Sequence, residues 1–392
     1  MAQKRVGGET GEIRSALPVD KLNAYLQQHV RSASTPVTVK QFKFGQSNPT
    51  YFLTDASGKR FVLRRKPTGP LLSPTAHAIE REFRVLRALS THNHSPNTPP
   101  HARVPVPDVY ALCEDPEVLG APFYVMEFLD GRIFTDPETP ELGEAEKREC
   151  WLSAVRALAA LSSLSPAALG LETYGPTKPY FPRQIRSLSR ISAAQAATTD
   201  IETGVPVGPI PGFDQLIAWY QRHLPDEGGK EGVRIVHGDY KLDNLVFHPT
   251  EPRVIGILDW ELSTLGSPLV DLANLVQPWY ADPRQLTPSL QKEGKWRAWK
   301  GLSPSQLPAP PLALLEKEYS KLMKIPYPIP NMNFASSWMF FRLAVIAQGI
   351  AARHARRQAS SERAAVYAKA FPIMGVLAKE VMDEEDAKKA KL

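Results

Sequence analysis

Cysteine is almost missing: Cys113 and Cys150 are the only two thiols in 392 residues. So few can build neither a disulfide framework nor a cysteine-rich zinc site, and a reducing compartment fits. Long apolar runs are missing as well. No stretch approaches the roughly 18 apolar residues of a membrane span, and the opening MAQKRVGGETGEIRSALPVD lacks the apolar core of a secretory signal. Neither secretion nor a membrane partner is expected. Blocks of like charge are also scarce. The net charge is +6 with the basic residues spread out, which speaks against a nucleic-acid partner and tolerates an anionic ligand such as a nucleotide or coenzyme. The densest basic group, Arg353, Arg356 and Arg357, reads as the solvated face of a helix. No internal repeat is present.

What is there suits a folded chain of two lobes. Hydrophobic residues make up 43% and charged residues 22%, and 37 prolines punctuate the chain. A short amphipathic helix is expected over 19–30. VTVKQFKFGQSNPTYFLTD and KRFVLRRKP read as strands joined by the hairpin turn DASGK. TAHAIEREFRVLRAL then places Ile79, Phe83, Leu86 and Leu89 on one helical stripe with Glu82 beside it, and the proline-rich stretch from Ser90 ends that helix. DVYALCED and APFYVMEFLDG add two strands, so the first 130 residues form an α+β lobe with a mostly antiparallel sheet. Beyond Asp130 and Gly131 the pattern is helical, in EAEKRECWLSAVRALAALSSL, GFDQLIAWYQRHL and SSWMFFRLAVIAQGIAARHA. Two short apolar strands, RIVHGD and RVIGILDWE, interrupt it, and a charged helix follows. The connections 190–211 and 281–311 are expected to run over the surface, the first as a cover. The division is 1–128 for a nucleotide-binding lobe, 129–380 for a catalytic and acceptor-binding lobe, and 381–392 for a charged tail.

HGDYKLDN and ILDWE carry the chemistry. Asp239 and Asn244 share one loop after a strand, and Asp259 follows the next strand, so a strand-loop-strand hairpin would bring their oxygens around one point. Phosphoryl transfer needs such convergence, because a hydroxyl must be aimed at a phosphate and hard cations must neutralise the moving charge. Asp239 would orient the acceptor hydroxyl and take its proton. Asn244 and Asp259 would hold Mg²⁺, and Lys241 would steady the transferred phosphate. The same residues with His237 suit a metallohydrolase, but no further histidine cluster supports that alternative.

The two motifs resemble the catalytic and metal loops of the protein-kinase-like superfamily, in its aminoglycoside and choline phosphotransferase branch. Gly238 in place of the arginine of protein kinases, and DWE in place of Asp-Phe-Gly, favour a small-molecule acceptor. The resemblance implies the protein-kinase-like bilobal fold, with a small, mostly antiparallel N-terminal lobe and a larger, mainly helical C-terminal lobe. It implies ATP and Mg²⁺. FGQSNPTY then takes the place of the phosphate-covering loop, with Gly45 permitting a tight backbone and Ser47 and Asn48 offering hydrogen bonds. Arg64 aligns with the phosphate-anchoring lysine and Glu82 with its ionic partner, although Arg65 and Lys66 compete for the position. The backbone of Glu127 and Leu129 would meet adenine. His237 and Asp271 look like braces of the catalytic loop.

From about 20 to 375 the order of motifs is also similar to the kinase-like portion of acyl-CoA dehydrogenase family member 11. That implies a hydroxyacyl-CoA acceptor, 4-hydroxy acids especially, and a separate acyl-CoA dehydrogenase to complete the pathway. An aminoglycoside, sugar or amino alcohol acceptor stays open, as does a catalytically weak nucleotide-binding regulator. The ending Ala390, Lys391, Leu392 is a conservative variant of the Ser-Lys-Leu address, so the peroxisome and its import receptor are expected, with the cytoplasm otherwise.

Overall fold

TYFLT alternates buried and half-buried side chains, as a strand with one face on a core does, whereas RFVLRR and FYVME carry runs of apolar residues buried on both faces, as central strands do. The computed structural model describes residues 10–390 apart from 12, 14–16, 43–47, 68–77, 293–295 and 359–363, and apart from the side chains at 10, 230, 231 and 367. Gly45, Ser47, Lys391 and Leu392 therefore lie outside the described residues. Two compact units emerge: Met1–Thr135, Ala167–Tyr174 and Leu242–Ser263 form one, and Asp136–Pro166, Gly175–Lys241 and Thr264–Leu392 the other. The division passes between Lys241 and Leu242, inside the HGDYKLDN motif.

The first unit holds a six-stranded antiparallel sheet of β1 (Thr10–Gly11), β2 (Thr38–Phe42), β3 (Thr50–Thr54), β4 (Arg60–Arg65), β5 (Val109–Cys113) and β6 (Phe123–Glu127). Its order is β1-β2-β3-β4-β6-β5. One face carries Tyr51, Leu53, Phe61, Leu63 and Val125 and packs on Leu22 and Leu26 of helix Val19–His29. Toward the opposite face lies helix Ile79–His94, with Phe83 beside Tyr124 at 6.1 Å between ring centroids. The Asp55 carboxylate builds the β3–β4 turn by accepting from the N–H groups of Ser34, Ser57 and Lys59 and from the Ser57 hydroxyl.

Helix 79–94 runs past the expected break at Ser90. Its polar last turns have partners: Asn93 bonds both the N–H and the carbonyl of Val104, while Ser90 and His94 bond the Asp108 carboxylate. The same unit includes a short hairpin of β8 (Leu245–Phe247) and β9 (Val254–Ile257).

In the second unit, helix Met332–Ala355 is the centre of a core with Phe181, Trp219, Tyr220, Met374 and Leu377. It is the one helix among the described residues long and apolar enough to cross a membrane, but 78% of its most apolar window is buried. Helices Glu144–Ser163, Tyr180–Ala196, Phe213–Arg222, Leu269–Leu275, Leu312–Met323 and Ala370–Lys389 belong to the same unit. A two-stranded ribbon pairs β7 (Arg234–Val236) with β10 (Thr264–Gly266).

Two expectations need correction. RIVHGD and RVIGILDWE do not pair with each other: β7 joins β10, and β9 joins β8. Those partner strands have three residues each, too few to show alternation. The connection 190–211 begins as helix to Ala196 and then runs largely exposed, as expected, with Arg357 tying its turn through Asp200 and Glu202. The stretch 281–311 is anchored by buried Leu286, Leu290 and Trp299, the last packed edge-on against Trp279 at 4.7 Å.

Candidate active site

Strand alternation decides which cation of FVLRRK meets Glu82. Arg64 pairs in register with Tyr124, and its Nε lies 3.0 Å from Glu82 Oε2. Arg65 emerges on the other face, bonding the Leu119 carbonyl at 3.0 Å and lying over the Tyr51 ring. Lys66 meets Glu80 at 3.6 Å. The expected Arg64 and Glu82 ion pair is present.

Arg64 does more than hold Glu82. Its Nη2 reaches Asp259 Oδ1 at 2.7 Å and Glu261 Oε2 at 3.6 Å, so three carboxylates converge on one guanidinium. The Glu82 side chain is 1% exposed and has two further donors, Asn48 Nδ2 at 3.0 Å and the Tyr124 hydroxyl at 3.1 Å. Burial pushes the Glu82 carboxyl up, Arg64 pulls it down, and Asp259 and Glu261 push it up again, to about 7. Burial, followed by the Glu82 charge, holds the Tyr124 phenol well above its ordinary value, so it stays a donor. The outer oxygen of Asn48, Oδ1, is buried without a hydrogen-bond partner among the described residues.

Asp259 is delivered by the β8–β9 hairpin. Its backbone is left-handed, at φ 66° and ψ 64°, a conformation that costs a non-glycine residue on the order of 1 kcal/mol and tends to mark functional turns. The following turn, Trp260–Leu262, is fixed by buried Trp260, whose indole N–H donates to the Ile257 carbonyl at 2.9 Å. Arg81, on the Glu82 helix, donates to the carbonyls of Tyr174 and Ser263 at 2.7 and 3.4 Å, locking turn and helix together. Asn244 sits at the same end of the hairpin: its carbonyl accepts from Leu258 N–H at 2.9 Å, one residue before Asp259.

Glu127 ends β6, and its N–H donates to the Asp108 carbonyl at 2.8 Å. Just beyond it the chain lies on the hairpin. Leu129 covers Gly256 so closely that a Cβ there would stand 2.1 Å from Leu129 Cδ1, and Arg132 and Phe247 exchange backbone hydrogen bonds at 2.8 Å.

The second unit holds Asp239 and Lys241. Asp271 Oδ2 and Oδ1 accept the N–H groups of His237 and Gly238 at 2.7 and 2.8 Å, and His237 Nδ1 accepts the Asp239 N–H at 3.2 Å. His237 is fully buried, as a brace must be. Burial raises the Asp271 carboxyl, against the neighbouring His237 imidazole and the two N–H donors. Asn274 Nδ2 donates to the Tyr240 carbonyl at 3.1 Å, and Tyr240 in turn bonds the Ala154 carbonyl. Lys241 Nζ stands 3.4 Å from Asp239 Oδ2, and both side chains reach solvent.

Two residues escaped the sequence reading. Glu261 is the second acid of DWE, and only the one-turn helix after Asp259 brings it back toward Arg64. Tyr124 depends on cross-strand register.

Residues 38–304 match the family described as the phosphotransferase enzyme family. The chain is 37% identical to mouse (Mus musculus) acyl-CoA dehydrogenase family member 10 over 93% of its own length, and 40% identical to rat (Rattus norvegicus) acyl-CoA dehydrogenase family member 11 over 88%. It spans only 31% and 40% of those longer proteins. A solved Ralstonia eutropha structure, named as a candidate aminoglycoside phosphotransferase, is 36% identical with a TM-score of 0.77, covering 94% of this chain and 99% of that one. A streptomycin–ATP complex of another aminoglycoside phosphotransferase matches 85% of this chain and 91% of its own at TM-score 0.52, a likeness of fold alone at 12% identity. The chain belongs to the phosphotransferase enzyme family and has the kinase-like fold of the aminoglycoside phosphotransferases.

Proposed function

We propose that the chain transfers the terminal phosphoryl group of ATP to a hydroxyl of a small molecule. One arrangement carries the reading: Glu82, Asp259 and Glu261 converge on Arg64 beside the hairpin end that holds Asn244. Three carboxylates against one guanidinium leave excess negative charge on hard oxygen donors, which fits Mg²⁺. Asp259 and Asn244 are the residues to hold it, and the ion when bound neutralises phosphate charge.

Arg64, fixed by Glu82, anchors phosphate. Asn48, with Gly45 and Ser47, belongs to the phosphate-covering loop, and the backbone of Glu127 and Leu129 meets adenine. Asp239 receives the proton of the acceptor hydroxyl as the hydroxyl oxygen bonds the terminal phosphorus. The bond from that phosphorus to its bridging oxygen breaks, ADP leaves, and Lys241 offsets charge on the transferred group.

The acceptor assigned is a hydroxyacyl-CoA, with 4-hydroxy acids foremost. Support comes from the relatives' names, which pair this region with acyl-CoA dehydrogenases in longer chains. An acyl-CoA dehydrogenase would then act on the phosphorylated product. The test is phosphate incorporation from labelled ATP with Mg²⁺ and separate pools of hydroxyacyl-CoA, choline, homoserine and aminoglycosides. Labelling of the hydroxyacyl-CoA pool alone is expected. Labelling of another pool overturns the acceptor, and labelling of none overturns the transfer.

A further inference from the structure

Helix Tyr180–Ala196, with sequence YFPRQIRSLSRISAAQA, carries three arginines and no acid. Arg183, Arg186 and Arg190 stand at i, i+3 and i+7, so they share one face. Phe181, Ile185 and Ser192 are buried on the other. Arg186 and Arg190 are exposed and have no ion pair or hydrogen bond among the described residues. Arg183 is half-buried; its Nη2 donates to the Leu265 carbonyl at 3.0 Å, while its Nε is buried without a hydrogen-bond partner among the described residues. The helix N-terminus is already taken, because the Glu227 carboxylate accepts the N–H groups of Tyr180 and Phe181 at 2.7 and 3.0 Å. Glu227 and the Tyr180 ring also face Arg183, so the unanswered charge is on Arg186 and Arg190.

The face is also tethered near Asp239, within the same unit. Tyr180 lies on Gly266 of β10, and Leu265 pairs with Ile235 of β7, four residues before Asp239. Strand spacing near 5 Å and at most about 3.5 Å per residue put the Arg183 guanidinium no more than about 25 Å from Asp239. Arg190 continues the positive stripe by about 10 Å at 1.5 Å per residue.

We infer that Arg183, Arg186 and Arg190 bind the phosphate groups of an acceptor that carries them at a distance from its reacting hydroxyl. Guanidinium forks match phosphate oxygens, and a cationic stripe disfavours polycations. An aminoglycoside, with several protonated amines, would be repelled. A coenzyme A thioester has the required layout, with phosphates at one end of a long linker and the hydroxyl at the other. The inference rests on the phosphotransferase reading and names what selects its acceptor.

The test is calorimetric titration of free coenzyme A into the full chain saturated with a non-hydrolysable ATP analogue, comparing wild type with Arg186→Glu/Arg190→Glu. Both side chains are exposed, so the fold should survive; circular dichroism and an unchanged analogue affinity check it. Coenzyme A is expected to bind wild type with strong salt dependence and the variant at least tenfold more weakly, while kanamycin binds neither at physiological salt. Equal coenzyme A affinity in the two proteins, or none in wild type, would overturn the inference. Loss of binding in the variant without phosphate transfer by wild type to hydroxyacyl-CoA would instead leave the arginine face standing and remove the acceptor assigned above.

Discussion

Arg64 joins two jobs at the residue scale. It neutralises buried Glu82 and also reaches Asp259, and the planar fork makes both contacts possible at once. Arg64→Ala would leave Glu82 buried without its cation, so a loss of about 3 kcal/mol is expected in urea unfolding. Arg64→Lys should retain most of that stability and lower kcat/KM about tenfold, because one ammonium cannot repeat both contacts. Equal stability of the alanine variant and wild type would contradict the assigned ion pair. The motifs HGDYKLDN and ILDWE singled out Asp239, Asn244 and Asp259 by residue type and order, while Glu261, in the same motif, was missed. The choice among Arg64, Arg65 and Lys66 was not legible, because it depends on which strand face points toward helix 79–94.

At the element scale, long periodic helices, the outer sheet and the apolar strands β7 and β9 could be read from pattern, whereas the three-residue strands β8 and β10 could not. Yet the β8–β9 hairpin is what delivers Asp259, and it is packed tightly. A Cβ at Gly131 would stand 2.3 Å from the Phe247 carbonyl oxygen and 2.5 Å from Val246 Cγ1. Backbone cannot yield as a side chain can, so Gly131→Ala should cost about 2–3 kcal/mol. Gly256→Ala, opposed first by the flexible end of Leu129, should cost less, and urea midpoints would rank the two. The β3–β4 turn offers a pH test. Burial raises the Asp55 carboxyl, but its four donors outweigh that and hold it below its ordinary value. The folded state thus favours the carboxylate, whose stabilisation is present above the unfolded pKa and is lost as pH falls through the lower folded one. Asp55→Asn should cost about 2 kcal/mol at pH 7, and less as the pH is taken down toward 2. A constant difference across that range would contradict this role.

Across the whole molecule, the HGDYKLDN motif passes from one compact unit to the other. Asp239 and Lys241 are set by the His237 and Asp271 brace of the second unit, while Asn244 and Asp259 are set by a hairpin of the first. Sequence order exposed this division of labour as chemistry but not as architecture, because the pairing of β7 with β10 and of β8 with β9 spans the motif. The proposed acceptor has only indirect support, from the relatives' names and the arginine face of helix 180–196. In the proposed transfer the proton of the acceptor hydroxyl passes to Asp239, whose Oδ2 stands 3.4 Å from Lys241 Nζ. The decisive measurement is single-turnover transfer of labelled phosphate from ATP to the hydroxyacyl-CoA pool by wild type and Asp239→Ala, with nucleotide affinity measured in parallel. The account predicts nucleotide affinity within a few-fold of wild type and transfer reduced by about 10² to 10⁴; equal transfer by the two proteins would contradict it.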